Sequence, residues 1–173
     1  METKKYEIQT AKSNIDWVGR KVTGMHHGTI SIKEGFLILE GDQLTSGQVI
    51  INVTAIKVLD ITDPATNAQF AGHLASCDFF DSEHYPEAAF NITSVSSSRI
   101  TGNLTIKDKT HPVSFDASIC HQADHLTASG KIIVDRTKYG MKFRSGHFFK
   151  DLGDRLIHNE FDLNVSITAR KVF

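Results

Sequence analysis

Residues Ile100–Ile119 read ITGNLTIKDKTHPVSFDASI, two alternating arms around a polar centre. In the first arm Ile100, Gly102, Leu104 and Ile106 alternate with Thr101, Asn103 and Thr105. In the second, Val113, Phe115, Ala117 and Ile119 alternate with Ser114, Asp116 and Ser118. Successive side chains of a strand point to opposite faces, so each arm has one dry and one wet side. The polar KDKTHP segment (Lys107–Pro112) joins the arms as a hairpin connection. The stretch therefore predicts an antiparallel sheet that faces water on one side.

The same period extends outward in both directions. Downstream, Leu126, Ala128, Gly130, Ile132 and Val134 alternate with polar residues, and so do Phe161, Leu163, Val165 and Ile167. Upstream lie Phe90 and Ile92, the β-branched run Gln48–Ile56 with Val49, Ile51, Val53 and Ala55 on one face, and Ile30 and Ile32. Tyr6 and Ile8 open the chain's first strand, and Ile15, Trp17 and Gly19 share one side of the next. Short polar turns between long strands favour up-and-down order over a sandwich. Such a meander closes into a barrel and leaves no edge. Tyr139–Ile157 has aromatic residues but no clean period, and predicts a strand followed by a lid loop.

One segment breaks the β pattern. Asp63 can cap a helix, Pro64 suits its first position, and Ala65–Ser76 supports about three turns. The aromatic corner His73–Pro86, HLASCDFFDSEHYP, follows. A lone helix in a small barrel covers an open end or the mouth of a cavity.

Charge narrows the function classes. The 173 residues include 19 basic and 20 acidic side chains, a net charge of −1, and the basic ones are scattered. Nucleic-acid binding is not expected. No window is apolar enough to span a membrane. The start, METKKYEIQT, has no apolar core of a secretory signal. The expected compartment is cytoplasmic as the chain stands, or periplasmic if it is the mature form of a longer precursor. Cys77 and Cys120 match no zinc or redox spacing, and the sequence leaves open whether they pair. His73 and Cys77, or His121 and His125, are four apart but lack a third ligand nearby, so no metal is expected. No nucleophile elbow, phosphate loop or dinucleotide fingerprint occurs, and no catalytic residue is assigned.

Several motifs carry a resemblance. HLASCDFFDSEHYPEAAF resembles the HLxSxDFFxxxxYPxxxF signature of the YceI-like proteins. SNIDWVGRKVTGMHHGTI, TGNLTIKDKTHPVSF and VDRTKYG resemble three further elements of that family, in order, so that the likeness spans roughly residues 6 to 170. Asp108 stands where the family's hairpin turn has Gly, Asn52 where many members have Asp, and the secretory signal of many members is not seen. The resemblance implies an all-β, lipocalin-like eight-stranded antiparallel barrel with one or two short helices. One YceI-like domain then occupies residues 1–173, with a short extension at about 1–5. The implied ligand is a polyisoprenoid or similar long-chain amphiphile held in the interior.

The expected function is non-catalytic binding, sequestration or transport of that lipid, with no cofactor. Lining candidates are Trp17, Phe36, Ile51, Val53 and Leu74; Phe79, Phe80, Phe90, Ile92 and Leu104; and Phe115, Ile132, Phe143, Phe161 and Leu163. Phe79 and Phe80 are consecutive, so in an extended chain only one would face the interior. His73 and Asp78 are candidates to orient a head group or to tie down the corner. The alternative is a solid barrel that docks a protein partner through the corner, with Phe79 or Phe80 exposed. A homodimer is left open.

Overall fold

The computed structural model describes residues 2–22, 24–143 and 157–172. Nine strands run as β1 (Thr3–Ile8), β2 (Asn14–Lys21), β3 (Gly24–Glu40), β4 (Gln43–Val58), β5 (Glu87–Ser96), β6 (Arg99–Ile106), β7 (Lys109–Gln122), β8 (His125–Asp135) and β9 (Ile157–Lys171). They form one antiparallel sheet in the order β1-β3-β2-β9-β8-β7-β6-β5-β4, and β3–β4 pairing closes it. β1 and β2 fill one barrel position between them. β1 pairs with the far half of β3 (Thr3 opposite Glu40) and β2 with its near half (Lys21 opposite Gly24). Both also pair with β9. A 3-10 turn at Thr10–Lys12 interrupts what is otherwise one strand. The barrel is therefore eight-stranded, as the family resemblance implied.

The hairpin at Ile100–Ile119 is tighter than its sequence suggests. Lys107 and Asp108 have φ of 54° and 59°, so these two residues alone make the turn. Both central residues left-handed is the arrangement whose twist matches paired strands. Pro112 therefore lies within β7, opposite Asn103. β8 pairs with β7 only from Ala117 onward, so Pro112 occupies a locally unpaired edge where its missing N–H costs nothing.

β4 carries the other local correction. Ser31 opposes Asn52 while Thr29 opposes Lys57, so β4 bulges by several residues. The expected inward run stops at Val53. Ala55 leaves the register, and Ile56 and the buried Val58 take over the inner side. Asn52 Oδ1 accepts the Thr54 N–H at 3.1 Å, an acceptor role an Asp would also fill.

Helix α1 (Pro64–Ala75) lies between β4 and β5. Asp63 accepts the Thr66 N–H at 2.9 Å and Pro64 takes the first turn, as the sequence predicts. No α1 residue is fully buried. The chain leaves the helix through consecutive turns over residues 77–80, then returns to β5. Arg136–Tyr139 form a 3-10 helix that ends at Gly140, whose φ is 78°. The lid loop expected up to Ile157 falls mostly on residues 144–156, outside the described residues.

The barrel's two ends differ. At the end away from α1, Tyr6, Leu39, Leu126 and Ala169 are at most 1% exposed and plug the interior. The Tyr6 hydroxyl lies 2.6 Å from His121 Nε2, so this buried polar group has a partner.

Candidate ligand-binding site

Under α1 the interior is hollow. A cavity of about 350 Å³ opens there, and a second of about 60 Å³ lies deeper, toward the plug. Ile15, Ile51, Leu104 and Leu163 line both and form a waist between them.

The strands supply the apolar wall. Trp17, Ile51, Val53, Leu104, Phe161 and Leu163 face the larger cavity. Phe90, Ile92, Phe115 and Ile132 face the smaller one. Gly28 makes room for Trp17. A Cβ there would sit 1.7 Å from the Lys57 carbonyl oxygen and 2.8 Å from the indole ring. The indole N–H donates to the same carbonyl at 3.2 Å, so the ring is fixed against the wall with its polar atom satisfied.

The cap supplies the roof. Leu74, Phe79, Phe80 and Phe143 all face the larger cavity. Both corner phenylalanines point inward because residues 77–80 turn rather than extend. The Phe79 N–H donates to the Ser76 carbonyl and the Phe80 N–H to the Leu74 carbonyl, both at 3.0 Å. Phe79 meets His73 at 5.1 Å and Phe143 at 5.9 Å between ring centres, and Phe80 meets Phe161 at 6.2 Å.

Phe36 is the candidate that lies elsewhere. Leu37 and Leu39 take the inner face of β3, so Phe36 points outward, with the Lys5 ammonium 5.0 Å from its ring centre. It opens the run Phe36–Leu39, which is apolar at both parities and so hides which face turns inward.

His73 lines the cavity, and its Nε2 lies 3.0 Å from Asp78 Oδ2. Asp78 does not reach the cavity wall, so this pair ties the end of α1 to the corner.

Among the wall residues that the sequence reading missed are His26, Phe70, Arg136 and Met141. Phe70 was legible, since it precedes His73 and Leu74 by three and four positions on one helix face. It stacks on Trp17 at 6.5 Å and meets His26 at 4.6 Å. His26 Nδ1 lies 2.7 Å from Asp60 Oδ2, and Asp60 Oδ1 accepts the His27 N–H at 3.0 Å. Burial pushes the Asp60 carboxyl up, but these hydrogen bonds and the nearby imidazole outweigh it, holding Asp60 below the usual carboxylate range.

Arg136 is 3% exposed. Its guanidinium donates to the carbonyls of Met141 (2.5 Å), His158 (2.9 Å) and Ile157 (3.1 Å). It thereby joins the two pieces of chain that flank residues 144–156. Desolvation lowers its pKa to about 10, so it stays charged at neutral pH. Its position 5.7 Å above the Phe79 ring connects this clamp to the corner.

The remaining polar wall groups gather where β2, β3 and β9 meet the cap: Arg20, Lys21, His26, His158 and Glu160. Arg20 is ion-paired with Asp162 at 2.8 Å and His26 with Asp60 at 2.7 Å, and Lys21 shares this stretch of wall with Glu160. Among the described residues no three His, Cys, Asp or Glu side chains converge as a metal site, and Cys77 and Cys120 are exposed and free.

A closed antiparallel barrel, plugged at one end and hollow under a helical cap at the other, defines a lipocalin-like fold. The YceI-like domain model matches residues 6–169, and the chain belongs to that family. It is 31% identical over 138 residues to the UPF0312 protein plu2095 of Photorhabdus laumondii, covering 73% of this chain and 65% of that one. It is 33% identical over 122 residues to protein YceI of Escherichia coli O157:H7, covering 68% of this chain and 60% of that one. The matched region thus spans less than two thirds of either relative. A polyisoprenoid binding domain from Saccharophagus degradans superposes with a TM-score of 0.72, covering 95% of this chain and 97% of that one at 9% identity, a likeness of fold.

Proposed function

We propose that this chain binds one long-chain apolar ligand, of isoprenoid or fatty-acyl type, without transforming it. The carrying observation is the cavity of about 350 Å³, lined mainly by apolar side chains, with a minority of polar ones, several of them where β2, β3 and β9 meet the cap. Its size falls within the roughly 300–1,000 Å³ typical of small-molecule sites. A tail with ten methylenes buried there would gain ~8 kcal/mol gross before association costs. Lys21, exposed on this wall and without a carboxylate in ion-pairing distance among the described residues, offers a seat for an anionic head group.

The family, and the ligand that the Saccharophagus domain is described as binding, support this reading. The solid-barrel alternative fares worse. Phe79 is only 9% exposed, and the space beneath it is open.

Native mass spectrometry of the purified protein, with organic extraction of whatever is released, tests the proposal. One lipid per chain is expected. Protein that carries nothing and takes up neither added polyprenyl phosphate nor added fatty acid would overturn it. Filling the waist with Leu104→Trp should abolish uptake in a chain that still melts cooperatively.

A further inference from the structure

We propose that the β2–β3 hairpin and the start of the β4–α1 connection form a docking surface for an anionic lipid bilayer, next to the cavity's rim. The inference rests on the carrier reading, since it says where the cargo is exchanged.

Large apolar side chains on the described outer surface are few, and they are not evenly spread. Val22 is 51% exposed, Met25 56% and Leu59 56%. These three belong to one place. Val22 and Met25 flank the tip of the β2–β3 hairpin, and the Leu59 N–H donates to the His27 carbonyl at 2.9 Å, beside that hairpin. Ile133, 55% exposed, extends the row around the barrel, because it pairs with Asp162, Asp162 with Val18, and Val18 with His27. The same hairpin lends Gly19, Arg20, Lys21 and His26 to the cavity wall. Exposed apolar surface and part of the cavity wall thus share one hairpin.

The charges fit an anionic surface. Lys21 and Lys57 are exposed, and among the described residues neither has a carboxylate within ion-pairing distance. The nearby acids are mostly answered. Asp162 lies 2.8 Å from Arg20 and 3.3 Å from Lys131, and Asp60 is held by His26 and the His27 N–H. Glu160 remains on the rim. Apolar side chains flanked by lysines are the composition of surfaces that seat at the lipid headgroup boundary.

The test is co-sedimentation of the whole chain with vesicles, either phosphatidylcholine alone or phosphatidylcholine mixed with phosphatidylglycerol. Binding to the mixed vesicles is expected, weakened by salt. Lys21→Gln and Lys57→Gln should each weaken it about fivefold. Val22→Ser, Met25→Ser and Leu59→Ser together should weaken it by more than either lysine change. These residues are exposed, so the variants should melt like the parent. Val172→Ser, an exposed apolar site at the plugged end, is the control and should bind normally.

Failure of the parent to bind either vesicle, or equal binding by the triple variant, overturns the proposal. So does a parent that is dimeric by ultracentrifugation and becomes monomeric on the triple change, because the patch would then be an interface between copies. Uptake of a soluble fluorescent fatty acid is measured separately. The triple variant should keep the parent's affinity for it. Vesicle binding without any such uptake would count against the carrier reading and leave the docking surface standing.

Discussion

The plugged end and the capped end of this barrel are built from the same alternating strands yet held together differently. At the plug, four side chains from β1, β3, β8 and β9 meet with almost no exposure. At the cap, a helix without a single fully buried residue lies over open space. The cap is held by ring contacts, Phe70 on Trp17 and Phe80 on Phe161, and by polar ties: Asn67 to the Val58 and Ile61 carbonyls, His26 to Asp60, His73 to Asp78, and the buried Lys107 to the Cys77 carbonyl. The difference separates stability from access. The tighter burial at the plug predicts that it carries more of the stability, and that the cap, with no fully buried helix residue, opens locally before the barrel unfolds.

The largest effects should therefore come from the plug. Leu39→Ala or Leu126→Ala removes a side chain at most 1% exposed and should cost about 2–5 kcal/mol in denaturant unfolding, with little change in ligand chain-length preference. A cost below that of an equivalent cap substitution would reverse the assignment of the two ends.

Arg136→Met should come next. It strands three backbone acceptors that the guanidinium now satisfies, each worth about 1–3 kcal/mol if left buried and unpaired. Arg136→Lys should rescue only part of the loss, because an ammonium cannot match the planar fork. The readout that separates this clamp from ordinary core is hydrogen exchange at the Met141, Ile157 and His158 amides, expected to rise in both variants. Unchanged exchange would show that Arg136 does not hold these two pieces of chain together.

Phe70→Ala should affect the cap with a smaller stability cost, about 1 kcal/mol, since Phe70 is only half-buried. Ligand release should accelerate. If release is unchanged while unfolding shifts by several kcal/mol, α1 belongs to the core and the contrast between the ends fails.

The sheet was legible because period-two alternation writes the buried face directly into the sequence. Leu104, Phe115, Ile132 and Leu163 were placed on the inner face by parity alone. Where both parities are apolar, the pattern loses force, and Phe36 was misplaced for that reason. The inward turn of both Phe79 and Phe80 depends on hydrogen bonds back to Leu74 and Ser76, which no spacing rule encodes. Arg136 was hidden differently. A charge is read as surface unless its partners are visible, and its partners are backbone carbonyls up to 22 residues away. That the hollow divides at a waist follows from how the strands' side chains meet in three dimensions, which the sequence does not state.

The smallest expected effect concerns pH, and it sharpens the comparison at the cap. Hydrogen bonding to Asp81, together with its charge, raises the His84 pKa above the usual histidine value. A raised pKa means the folded state favours protonated His84, so this contribution is complete below about pH 6.5 and is lost as pH rises through the raised value. Asp60 works the other way. Its lowered pKa contributes above the ordinary carboxylate range near pH 4 and is lost as pH falls through its folded value. His84 is exposed and the pair is screened, so its share is small. Asp60 anchors both His26 and the His27 N–H, so strong acid should loosen the cap. Hydrogen exchange at α1 amides should rise below pH 4 while the β1, β3, β8 and β9 plug stays protected. Asp60→Asn should remove most of that acid sensitivity; an unchanged acid response would place the weak point of the cap elsewhere.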